Sequence, residues 1–122
     1  MANLNFINLY VDDAQRSADF YATILGKQPV QSSPGFSMFI LNGGLTLGMW
    51  KREAVEPAVE GAAGGGEICF AESSDAQVDE RFAEWTGQGL VIAQKPTKMS
   101  FGYTFTALDP DGHRLRVYTL AQ

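Results

Sequence analysis

Few side chains in this sequence could bind a metal ion or act as a nucleophile. The chain has one histidine, His113, and one cysteine, Cys69. Together with His113, the plausible metal donors are Glu67, Glu72 and Asp109, and their spacing matches no established ligand set. His113 follows a turn motif, so a solvated or turn-stabilising role is expected for it. Cys69 lies in an apolar run, which favours a buried, inert thiol.

The composition limits the classes of partner. With 122 residues and 45% apolar content, the chain can form one ordinary hydrophobic core without a disulfide or a metal. The net charge is −5 and the basic residues are scattered, which argues against a nucleic-acid partner. Neither a signal peptide nor a membrane span is predicted, and the single cysteine fits a reducing compartment. We therefore expect a cytoplasmic protein without nucleic-acid or membrane partners.

The first half of the chain predicts a strand, a helix and three further strands. The first strand covers residues 4–11, and Asp12 or Asp13 is expected to cap the helix, with Gln15 pairing with Asp12. An apolar stripe at helical spacing defines the helix, and a glycine ends it: Ala14, Ala18, Tyr21, Leu25 and Gly26. The three strands are predicted at residues 28–32, 36–41 and 45–50, with a hairpin turn at residues 42–44.

The second half repeats this order. A strand at residues 67–72 is followed by a capping box at Ser74 and Gln77, and then by a helix with the stripe Val78, Phe82 and Trp85. Strands are predicted near 90–94, 102–108 and 113–120. The sequence therefore predicts an α+β fold of two βαβββ modules, 1–52 and 66–122, within one domain and joined by a linker at 53–65.

Two motifs identify a family resemblance. The segment FINLYVDD at residues 6–13, followed by Phe20, Tyr21 and the Ile-Leu-Gly at 24–26, resembles the opening of vicinal-oxygen-chelate proteins. This is the glyoxalase, bleomycin-resistance and dioxygenase superfamily. The segment DPDGHRLRV at residues 109–117 resembles the closing turn and strand of the same family. The resemblance implies two half-sheets that enclose a cleft, with each helix on the outer side.

The resemblance also implies where a metal would be held in enzymes of the family. Those positions correspond to Phe6, Gly48, Glu67 and Arg116. Phenylalanine and glycine have no side-chain donor, and arginine stays cationic. We therefore expect no metal, no cofactor and no catalytic residue, which leaves the family branch that sequesters antibiotics. Within that branch the sequence resembles phenazine-resistance proteins most, on segments such as Phe101-Gly102-Tyr103-Thr104-Phe105.

The resemblance and strand alternation together predict a ligand-binding face. If the family's ligand positions face the cleft, the alternate residues of each strand pack beneath a helix: Ile7, Leu9, Val11, Leu47, Met49, Ile68, Phe70, Leu115 and Val117. The predicted ligand-binding residues are Phe6, Asn8, Tyr10, Gly48, Trp50, Glu67, Arg116 and Tyr118, with Tyr103 added from a possible rim at residues 99–103. Gly48 and Ala71 are expected to leave room for a ring.

Several alternatives stay open at this point. Arg116 could bind a carboxylate or a ring oxygen of a ligand, and Glu67 could contact the ligand or only pair with Arg116. Trp50 could stack on a ligand or cover the core, and either Met38 or Phe39 is expected to line the cleft. The sequence favours a homodimer, with or without exchanged modules, that sequesters a planar aromatic compound. The alternatives are a metal enzyme with relocated ligands and a regulatory subunit without a ligand.

Overall fold

A computed structural model describes residues 1–121 of the chain, which form two compact units. The first unit covers Met1–Gly61 and the second begins at Ala62, so the boundary lies inside the predicted linker. Each unit contains one helix and one four-stranded sheet, and the predicted α+β fold of two βαβββ modules is confirmed. No helix within residues 1–121 is long and apolar enough to cross a membrane.

The first unit places its two longest strands in parallel. Its elements in chain order are β1 (Phe6–Val11), α1 (Ala14–Leu25), β2 (Gln31–Ser32), β3 (Phe36–Ile40) and β4 (Thr46–Lys51). The strand order in the sheet is β1-β4-β3-β2, so β1 and β2 are edge strands. The segment Asn42–Gly44, predicted as a hairpin turn, forms a short 3-10 turn between β3 and β4.

The second unit has the same topology. Its elements are β5 (Glu67–Ala71), α2 (Asp75–Gly87), β6 (Val91–Met99), β7 (Gly102–Leu108) and β8 (Arg114–Leu120). The strand order β5-β8-β7-β6 repeats that of the first sheet. Strand β6 is longer than the predicted 90–94, because its pairing with β7 continues to Met99 through two register shifts.

Both helices begin at the predicted type of cap. The carboxylate of Asp13 accepts hydrogen bonds from the backbone N–H groups of Gln15 (3.0 Å) and Arg16 (3.2 Å), so the predicted pair of Asp12 with Gln15 is wrong. Ser74 accepts from the N–H of Gln77 at 3.2 Å, as predicted. In a standard capping box, the Gln77 side chain would accept from the N–H of the N-cap residue, Ser74. Here it accepts from the N–H of the preceding residue, Ser73.

One face of each sheet packs against its helix, and we call the opposite face the helix-free face. In the second unit, Trp85 is 1% exposed and meets Phe70 and Phe105 edge-on, as a core residue should. In the first unit, Val11 and Met49 are buried. Ile7 is 40% exposed, contrary to the expectation that it packs beneath the helix, because β1 is an edge strand and α1 lies over β3 and β4.

Candidate functional site

Strand β8 brings the predicted arginine and tyrosine to the helix-free face of the second sheet. Leu115 and Val117 are fully buried on the helix side, while Arg116 and Tyr118 are half-buried on the other. This is the alternation predicted from the sequence. Cys69 of β5 pairs with Arg116 in register, so the same face continues onto the neighbouring strand.

The guanidinium of Arg116 is held from two sides. Its Nε donates to both carboxylate oxygens of Glu67, at 2.9 and 3.0 Å. Its Nη1 donates to Oε1 of Gln94 at 3.1 Å and to Oγ1 of Thr104 at 3.2 Å. The exposed fractions of the side chains are 16% for Arg116 and 33% for Glu67, so the pair is partly shielded from solvent. Glu67 therefore does pair with Arg116, one of the two roles left open for it.

The residues that orient Arg116 were not predicted as site residues. Thr104 is fully buried, and its hydroxyl donates to the backbone oxygen of Val117 at 2.8 Å while it accepts from the guanidinium. Gln94 accepts from Arg116 and from Thr106 Oγ1, the latter at 3.4 Å. Thr104 and Thr106 alternate with Tyr103 and Phe105 along β7. This alternation was the signal that could have placed the threonines on the same face as Arg116. Register shifts occur in β6 on either side of Gln94, so simple alternation could not predict which face of the sheet its side chain is on.

The side chains of Arg116 and Glu67 border an open concavity of about 370 Å³ in the second unit. Its lining residues come from β5, β8 and the turn before β7: Glu67, Cys69, Phe101, Arg116, Tyr118 and Leu120. Three predicted ligand-binding residues thus lie together, and Phe101 joins them from the suggested rim at 99–103. The volume falls within the range of about 300–1,000 Å³ typical of small-molecule sites.

The thiol of Cys69 is exposed, so the expectation of a buried cysteine is wrong. Cys69 lies on the helix-free face of β5, and the apolar run that suggested burial buries mainly its alternate residues. Its Sγ lies 3.9 Å from Oε1 of Glu67. Partial burial of the sulfur and the Glu67 carboxylate raise the pKa of the thiol, and the Arg116 charge acts in the opposite direction. At neutral pH the group is therefore a thiol rather than a thiolate.

The first unit presents an aromatic surface on its own helix-free face. Tyr10, Trp50 and Phe36 lie side by side in register across β1, β4 and β3. Tyr10 is 38% exposed and Phe6 is 43% exposed, while Trp50 is half-buried. Met38 is on this face as well, and Phe39 is fully buried against the helix, which decides the alternative left open by the sequence.

Gly48 lies on the same face beneath two side chains of β1. Asn8 is its register partner. An ideal Cβ at position 48 would collide with Oδ1 of Asn8 and would lie 2.9 Å from Cε1 of Phe6. The space expected for a ligand ring above Gly48 is therefore occupied by the chain's own side chains.

Tyr103 does not line the concavity around Arg116. Its hydroxyl donates to Asp79 of α2 at 2.8 Å, and the Nζ of Lys98 lies 5.5 Å from its ring centre. Lys98 in turn pairs with Asp75 at 2.8 Å. The hydrogen bond to Asp79 is the main cause of a raised pKa for Tyr103. The alternation of β7 thus directs Tyr103 to the helix side, so it is separated from the other predicted site residues in its unit.

The family's metal positions do not supply a donor set in this chain. Phe6 and Gly48 have no donor atoms, and Glu67 is engaged by Arg116. Of the alternative donors, Glu72 binds Arg81 at 2.9 Å, and Asp109 accepts from the backbone N–H of Asp111 and of His113 in the turn before β8. Within residues 1–121, no group of three or more His, Cys, Asp or Glu side chains is arranged to hold a metal ion.

His113 takes part in the turn that precedes β8. Its backbone N–H donates to Oδ1 of Asp109 at 2.9 Å, and its carbonyl accepts from the N–H of Asp109, also at 2.9 Å. Both hydrogen bonds come from the backbone of His113, so the role expected for its side chain stays a prediction. The β8 residues that line the concavity include Arg116 and Tyr118, and His113 is not among the lining residues.

Comparisons with known proteins agree with this architecture. Residues 3–117 match the family model of the Glyoxalase/Bleomycin resistance protein/Dioxygenase superfamily. A phenazine antibiotic resistance protein of Enterobacter agglomerans is 35% identical over 115 residues, covering 92% of this chain and 88% of that protein.

Solved structures show the same fold. The solution NMR structure of a protein from Agrobacterium tumefaciens is 52% identical, covers 100% of both chains and superimposes with a TM-score of 0.91. A glyoxalase-related enzyme from Fulvimarina pelagi has a TM-score of 0.83 at 22% identity, covering 98% of this chain and 88% of that one. The family model that matches residues 3–117 and the 35% identity to the Enterobacter agglomerans protein establish that the chain belongs to the glyoxalase/bleomycin resistance protein/dioxygenase superfamily.

Proposed function

We propose that this protein binds a planar aromatic small molecule of phenazine type and sequesters it without changing it chemically. The observation that carries this proposal is the concavity in the second unit, which is lined by Phe101, Tyr118 and Arg116. Aromatic side chains stack on flat rings, and a guanidinium donates to ring nitrogens or carbonyl oxygens. The arrangement suits recognition by stacking and hydrogen bonding. The one thiol at the concavity, Cys69, has a raised pKa, which disfavours the thiolate that a nucleophilic reaction would need.

The aromatic face of the first unit is the second proposed ligand-contacting surface. Tyr10 and Trp50 offer adjacent exposed or half-buried rings, and each stacked pair contributes about 1 kcal/mol beyond area burial. The proposed contacts are Phe6, Asn8, Tyr10 and Trp50 in the first unit, and Glu67, Phe101, Arg116 and Tyr118 in the second. Gly48 is left out because Asn8 and Phe6 cover it. Tyr103 is left out because it binds Asp79 on the helix side.

The similarity to the Enterobacter agglomerans protein supports the choice of ligand class. That relative is named for resistance to phenazine antibiotics, and 92% of this chain aligns with it. The donor chemistry of Phe6, Gly48 and Arg116 supports binding without a metal. We infer that resistance by drug binding is the biological role.

We further propose that the protein is a homodimer. On edge strand β1, Phe6, Ile7 and Tyr10 are 38–43% exposed, and Ile40 of β3 is 51% exposed, so apolar side chains of this sheet are left uncovered. Analytical ultracentrifugation at micromolar concentration tests this. A sedimentation coefficient for twice the chain mass supports the proposal, and a monomer contradicts it.

Isothermal titration calorimetry with phenazine tests the ligand proposal. The protein is first dialysed against a chelator, and the ligand is afterwards recovered and analysed by liquid chromatography and mass spectrometry. We expect saturable binding in the chelator-treated protein and recovery of unaltered phenazine. Absence of heat across a panel of phenazines would refute the ligand class, and a modified product or a requirement for added metal would refute sequestration.

A further inference from the structure

We infer that Glu67 makes this site selective for uncharged aromatic ligands that carry a carbonyl oxygen next to an N–H donor, and that it discriminates against carboxylate-bearing analogues. The inference rests on the proposed function, since it concerns which member of the ligand class is bound. It depends on how the hydrogen-bonding groups of Arg116 and Glu67 are distributed at the surface of the concavity.

The donors of Arg116 are only partly used by the protein. A guanidinium has five N–H groups. The Nε–H faces the Glu67 carboxylate, and Nη1 donates to Gln94 and Thr104. No residue among the 121 that the structure describes accepts a hydrogen bond from Nη2. The two N–H groups of that nitrogen are therefore the donors that Arg116 can offer to a ligand.

The acceptors on Glu67 complete the pattern. Its carboxylate lines the same concavity as Arg116, and one third of its side chain is exposed. An ionised carboxylate has about four acceptor positions, and Arg116 Nε and the Cys69 thiol occupy only some of them. A ligand edge that fits this surface presents one acceptor to Nη2 and one donor to Glu67.

Charge balance argues against an anionic ligand. The guanidinium of Arg116 and the carboxylate of Glu67 already neutralise each other at about 3 Å. A ligand carboxylate would add a second anion beside Glu67 and would compete with it for one cation. A primary carboxamide instead offers both an oxygen and an N–H group, without a charge.

Gln94 and Thr104 prevent the guanidinium from turning away from Glu67. Thr104 is fully buried and is itself fixed by its bond to the backbone of Val117, so the Nη1 end is anchored in the sheet. These two are positioning residues. Because these residues fix the direction of Nη2, the guanidinium does not adjust to the ligand, and the ligand must present its acceptor in that direction.

The test compares two matched probes, phenazine-1-carboxamide and phenazine-1-carboxylate, by isothermal titration calorimetry at neutral pH. We expect the wild-type protein to bind the carboxamide about tenfold more tightly. In Glu67→Gln, the glutamine still accepts from Arg116 Nε and removes the negative charge, so the preference should vanish or reverse. The control Glu60→Gln removes an equal charge at an exposed position outside the concavity and should keep the wild-type preference.

The possible outcomes separate this inference from the proposed function. Equal affinity for the two probes in wild-type protein, or tighter binding of the carboxylate, would overturn the selectivity while leaving phenazine binding intact. A preference that persists unchanged in Glu67→Gln would also overturn it, since the residue would then not be the cause. If neither probe nor unsubstituted phenazine binds, it is the proposed function that fails.

Discussion

The side chain of Asn8 fills the space directly above Gly48, its register partner on the neighbouring parallel strand. Phe6 closes the same space from the side, with Cε1 2.9 Å from the position that a Cβ on residue 48 would take. Glycine at this position therefore lets two side chains of β1 lie flat over β4. Close packing within the first unit therefore explains why residue 48 is a glycine.

Gly48→Ala should lower the free energy of unfolding by about 1–2 kcal/mol, because Asn8 and Phe6 must rotate away from the new methyl group. Urea denaturation measures this. In an Asn8→Ala background the same substitution should cost less, giving a coupling energy of about 1 kcal/mol in a double-mutant cycle. Gly65→Ala, at a position with open surroundings, is the control. Additive effects at positions 8 and 48 would show that the two residues do not share this space.

Gly102→Ala should be more damaging, with a loss of about 3 kcal/mol or more. Gly102 begins β7 with a φ of 152°, and a Cβ there would meet the backbone of β8, at 2.9 Å from Leu120 Cα and even closer to the carbonyl oxygen of Thr119. Backbone cannot rotate away as the Asn8 side chain can. Urea denaturation of both variants under one set of conditions compares them, and a smaller loss at position 102 than at 48 would contradict this explanation.

Cys69 should react slowly with iodoacetamide near neutral pH although its thiol is exposed. Its raised pKa reduces the fraction of thiolate, which is the reactive form. Glu67→Gln removes a group that raises the pKa and should speed alkylation, whereas Arg116→Gln removes a group that lowers it and should slow alkylation. Mass spectrometry follows the rates at several pH values. Identical rates in the two variants would mean that neither charge acts on the sulfur.

Trp50→Ala should weaken phenazine binding by about five- to tenfold, since one stacked pair contributes about 1 kcal/mol. Calorimetry measures the loss. Val91→Ala, which trims an exposed apolar residue on β6 of the second unit, is the matched control and should leave the affinity unchanged. Wild-type affinity in Trp50→Ala would remove the first-unit face from the proposed ligand contacts.

The elements of this fold were predictable because each carries a local signal. Asp13 and Ser74 mark the helix starts, Gly26 ends α1 in the left-handed conformation, and strict alternation along β8 separates Arg116 from Leu115 and Val117. Such signals depend on neighbouring residues in the sequence, which is why two complete modules could be recognised.

The details that escaped prediction depend on contacts between strands. The direction of Gln94 is set by register shifts between β6 and β7, and the surroundings of Gly48 are set by a side chain on another strand. Cys69 was expected to be buried because its neighbours in the sequence are apolar, although alternation places it on the exposed face. Tyr103 was likewise assigned to the wrong face, because the pairing of β7 with its neighbouring strands places its side chain on the helix side.

Native mass spectrometry of the protein incubated with phenazine tests the central claim most directly. It reports stoichiometry, metal content and assembly in one spectrum. We expect a complex whose mass equals the protein plus unmodified phenazine, one ligand per chain, with no metal, and release of phenazine of unchanged mass on activation. A spectrum with no phenazine adduct, or one in which a stoichiometric metal accompanies an altered ligand, would contradict sequestration.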